Sequence, residues 1–145
     1  MNRVQAAGVI RAWLGGLPSD CTWERVRDGF WYVRIPGQAR RWIPLELSIG
    51  SRTVTVVSHV IVEPVESQAE VYQFLLRTNF AAGRVAFAFE GAEGVICLVG
   101  RMPLAALAAG ELDELVGAVV ETTEKTFRSI LQLGFGSLLK GSSGS

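Results

Sequence analysis

The chain has 145 residues, 49% of them hydrophobic and 19% charged, and a mean hydropathy of +0.30. Fourteen basic residues balance fourteen acidic ones, for a net charge of zero and a pI near 6.6. Such a chain is long and apolar enough for one self-supporting core, is not a disordered segment, and lacks the overall basicity of phosphate-binding proteins.

Asn2 is placed to cap a first helix over about Arg3 to Leu14, where Val4, Ala7, Ile10 and Leu14 recur at helical spacing. Gly15-Gly16 stops it. Two strands follow, "CTWERVR" and "FWYVRI", separated by Asp28-Gly29. That dipeptide favours a type I′ hairpin turn, in which both central residues take positive φ. Trp31, Val33 and Ile35 share one face of the second strand, and Phe30, Tyr32 and Arg34 the other. "PGQAR" is a loop. In "RWIPLELSIG", Ile43, Leu45, Leu47 and Ile49 form one face, with Trp42, Glu46 and Ser48 opposite. Pro44 has no N–H to give to a ladder, which predicts an edge strand or a bulge there. Gly50-Ser51 turns into the β-branched run from Thr53 to Val62.

Pro64 ends that run and precedes a second helix, about Ser67 to Phe80, with Ser67 and Glu70 at capping-box spacing. Arg77-Thr78-Asn79 reads as its C-terminal cap, because arginine suits a helix C-terminus and asparagine tolerates the left-handed conformation that closes one. "RVAFAFE" and "GVICLVG" form a second hairpin across "GAE". In the last helix, from Glu111 to Leu133, apolar residues from Leu112 to Leu131 keep the three-four spacing. Glu111, Asp113, Glu114, Glu121, Glu124, Lys125 and Arg128 fall on the other face, expected to be solvated, and Gly134 is expected to end the helix. Residues 1–138 are predicted to form a single domain and 139–145, with the closing "GSSGS", a flexible tail or vector remnant. The element order implies an α+β fold: an antiparallel sheet of five or six strands packed by three helices.

The residues that could carry chemistry are few. His59 lies alone in its strand, and general-base chemistry needs a converging nucleophile and orienting group. Cys97 sits in an apolar strand, and Cys21 follows Asp20, which raises a thiol pKa. One histidine and two distant cysteines match no zinc-ligand spacing, and no glycine-rich run has the phosphate-loop pattern. No catalytic residue, cofactor or metal is therefore expected. The N-terminus lacks an apolar signal region and no run reaches the roughly 18–20 apolar residues of a membrane helix, so a cytoplasmic protein with reduced thiols is expected. Trp13, Trp23, Trp31 and Trp42 crowd the first third, three of them interleaved with Arg25, Arg27, Arg40 and Arg41. Tryptophan and arginine are favoured at interface hot spots, and tryptophan equally fills cores. Trp31, Trp42, Arg40 and Arg41 are the candidate partner contacts.

Three stretches, "WYVRIPG", "VEPVESQAEVYQFLLRTN" and "LVGRMPLAALAAGELDELVGAVVETTEKTFRSILQLGF", together resemble the YbjN-domain family, in particular its actinobacterial, sensory-transduction-regulator-like branch. The resemblance implies a type III secretion chaperone-like fold, commonly dimeric, in proteins thought to bind other proteins or to serve regulation. It supplies no catalytic residues. Secretion chaperones proper are acidic, and the neutrality of this chain points away from a secreted-effector client. The expectation is a non-enzymatic protein-interaction module, chaperone-like or regulatory, acting as a homodimer without nucleic acid or membrane. The alternative is a small-molecule-binding regulatory domain with a cavity between the sheet and the C-terminal helix.

Overall fold

The computed structural model describes residues 1–143. Helix α1 (Arg3–Gly15) precedes four strands, β1 (Thr22–Arg27), β2 (Phe30–Pro36), β3 (Trp42–Ile49) and β4 (Thr53–Val62). Helix α2 (Gln68–Ala81), strands β5 (Ala86–Glu90) and β6 (Val95–Pro103), a 3-10 turn (Leu104–Ala106) and helix α3 (Ala109–Ser143) complete the chain. The strands make one antiparallel sheet in the order β1-β2-β3-β4-β6-β5. This is the α+β architecture that the element order implies, with six strands and three helices.

Alternation along the strands decides which face is covered. Trp31 and Val33 of β2, Ile43 to Ile49 at every second position of β3, Val54, Val56 and Val60 of β4, and Ile96 and Leu98 of β6 are all buried. All three helices lie over this inner face: α3 crosses β4 and β6, α1 sits beside it over β3, and α2 over β5. A Cβ on Gly100 would come 2.5 Å from Leu115 Cδ1, so the missing side chain lets α3 approach the sheet closely. The layer between sheet and α3 is filled at that point.

Capping at the first helix matches the sequence: Asn2 and Gln5 form a reciprocal capping box. Elsewhere long-range contacts override local signals. Only Gly29 of the Asp28-Gly29 pair takes positive φ, +71°, so the turn is not type I′, and the β1–β2 register shifts between Arg25 and Arg27. β3 is an interior strand, without a bulge against β2. Pro44 is tolerated because β3 pairs with β4 only over Glu46–Ile49, and Pro44 lies beyond that stretch.

Ser67 makes no side-chain cap and sits at φ +51°, while the N–H groups of Val65 and Glu66 both donate to the Gly134 carbonyl. This tether to α3 makes the chain turn sharply into α2, which displaces the expected capping box. The same contact lies at Gly134, just before the last helix breaks. A Cβ there would lie 2.9 Å from Pro64 Cβ, so the glycine serves close packing. The helix breaks at Phe135 (φ −141°, ψ 15°) and resumes to Ser143. Residues 139–143, expected in a flexible tail, are helical, and 144–145 lie outside the described residues.

Candidate interaction surface

The outer face of the sheet bears Phe30, Tyr32 and Arg34 from β2, Trp42, Pro44 and Glu46 from β3, and Val57 and His59 from β4. All but the exposed Arg34 are half-buried, and no described element covers them. An antiparallel sheet with one solvated face normally turns polar residues outward. Here aromatic rings and aliphatic groups occupy much of that face, with guanidinium groups stacked on two of the rings. Arg27 lies 4.4 Å from the centroid of Phe30, and Arg34 4.6 Å from that of Trp42.

The four candidate contacts separate. Trp31 is 1% exposed and packs in the core on the inner face, so it offers no surface to a partner. The alternation that put it opposite Phe30 and Tyr32 was visible in the sequence; which face the helices cover was not. Arg40 is half-buried and occupied: its Nη1 donates to the His59 carbonyl at 2.8 Å, and its guanidinium lies 5.2 Å from the Phe127 ring centroid. Burial lowers its pKa from the ordinary value. Continuing the β3–β4 register places Pro44 opposite His59, and proline has no N–H for that carbonyl. Arg40 supplies the missing donor. Trp42, half-buried, and Arg41, exposed, remain on the surface.

The acids of α3 also hold the fold together. The Glu124 carboxylate accepts from the N–H groups of Gln38 and Ala39 at 2.9 and 2.8 Å, pinning the loop before β3. Asp113 accepts from Trp13 Nε1 at 2.7 Å, and Arg84 donates to Glu111 and Glu114 at 2.9 Å each. A solvated face was expected; long-range partners make much of it a set of tethers.

Sequence reasoning placed β1 as a strand but did not show that it lies at the edge of the sheet. All six of its residues are exposed, including Trp23 at 45% and Val26 at 49%, and among the described residues no strand pairs with its outer edge. Periodicity gave no signal, because edge position depends on strand order.

The fold is that of type III secretion chaperones. The chain aligns with a chain of the heterodimeric ExoU–SpcU complex from the type III secretion system of Pseudomonas aeruginosa at TM-score 0.61 and 19% identity, covering 82% of this chain and 95% of that one. It aligns with a chain of the ExsC–ExsE complex at TM-score 0.57 and 14% identity (87% and 92% covered). For the HopA1–SchA chaperone–effector complex the values are 0.52 and 12% (87% and 95% covered). At these identities the likeness is one of fold. In sequence, the chain is 38% identical over 108 residues to the uncharacterized protein Rv0487 of Mycobacterium tuberculosis and, equally, to ML2442 of Mycobacterium leprae. The matched stretch is 74% of this chain, and it spans 58% of the length of these relatives. No family model matches the chain.

His59 and Cys97 lie opposite one another in the β4–β6 register. Cys97 is buried, and its Sγ meets the Val95 carbonyl at 3.9 Å. Burial pushes the Cys97 thiol pKa up, and Glu90, Glu46 and Glu93 add to the effect. That is the reverse of what a nucleophile needs. Cys21 is raised likewise, by burial and then by Asp20. Among the described residues no cluster of histidine, cysteine and acids could hold a metal, and no helix is long and apolar enough to cross a membrane.

A cleft of about 360 Å³ lies between the end of α2 and α3, lined by Thr78, Arg84, Glu121 and Lys125 among others. It is not the sheet–α3 cavity of the small-molecule alternative. Its charged groups are already matched, Arg84 with Glu111 and Glu114, and Lys125 with Glu121 at 2.7 Å.

Proposed function

We propose that this chain is a non-enzymatic protein-interaction module, chaperone-like or regulatory, working in the cytoplasm as a homodimer. The observation that carries the reading is the sheet face that no described element covers, where half-buried aromatic and aliphatic side chains lie. Apolar surface of this kind marks contact sites. The fold shared with SpcU-, ExsC- and SchA-containing complexes supports it, since one of these is a chaperone–effector complex. Membership of the YbjN-domain family rests on the quoted sequence stretches and belongs to the same proposal.

Affinity capture from lysate with the wild-type chain and a Trp42→Ala/Arg41→Ala variant tests the reading. A protein enriched by the first and lost with the second, both chains folded, supports it. Enrichment of nothing by either removes it. Light scattering on the purified chain tests the homodimer separately.

A further inference from the structure

We draw no further inference here: the strongest candidate, the apolar groove between α2 and β5 lined by Tyr72, Leu76 and Phe89, carries none, because nothing in the structure shows what covers it.

Discussion

Asn79 holds Phe87 by both of its outward backbone groups, accepting from its N–H at 2.6 Å and donating to its carbonyl at 3.1 Å. The amide imitates one residue of a neighbouring strand. The Arg77-Thr78-Asn79 triplet therefore does not close α2, which continues to Ala81. It docks the helix against the edge strand and stoppers that edge.

Replacing Asn79 by alanine leaves both Phe87 groups without a protein partner. A loss of about 1–3 kcal/mol is expected, measured by urea unfolding. The reopened edge should also raise the aggregation rate. Unchanged stability would show that water replaces the amide without cost.

Arg40 and Pro44 form a compensating pair at the His59 carbonyl. Arg40→Ala should cost about 1–3 kcal/mol, through the lost donor and the lost contact with Phe127. Pro44→Ala restores a backbone N–H at the same register position and should recover part of that loss. A double-mutant cycle measures the coupling, and strictly additive effects would refute it.

The tryptophans of β2 and β3 should behave oppositely. Trp31→Ala empties a core position and should cost about 3–5 kcal/mol, enough to unfold a marginal domain. Trp42→Ala removes a half-buried ring under Arg34 and should cost about 1 kcal/mol. Thermal and urea unfolding of the two variants separates a core residue from a surface one.

Cys97 has a folded-state pKa above its unfolded value, because burial opposes the thiolate. Its contribution to stability is fully present below the unfolded value, about 8.5, and is lost as pH rises through the higher folded value. In a Cys21→Ser background, stability should fall through this alkaline window, and Cys97→Ala should flatten the fall. A disulfide-exchange reagent at neutral pH should modify Cys97 only after denaturation.

Local patterning made much of the fold readable. The alternation of Ile43, Leu45, Leu47 and Ile49, the capping of α1 by Asn2, and the three-four spacing from Leu112 to Ile130 each express a period that neighbours along the chain suffice to define. The sequence by itself therefore determined the elements, their order and the α+β class. The surface was less legible. Trp31 and Trp42 look alike in sequence, and the side of the sheet on which the helices settle separates them. Glu124 and Asp113 look like solvated charges until Ala39 and Trp13 arrive from 85 and 100 residues away. Only the tertiary structure decided that Asn79 closes one edge and that, among the described residues, no strand pairs with the other edge, at β1. Side-chain periodicity is set by backbone geometry within a few residues. Face and edge depend on which distant segments pack together, and no short window of sequence contains them.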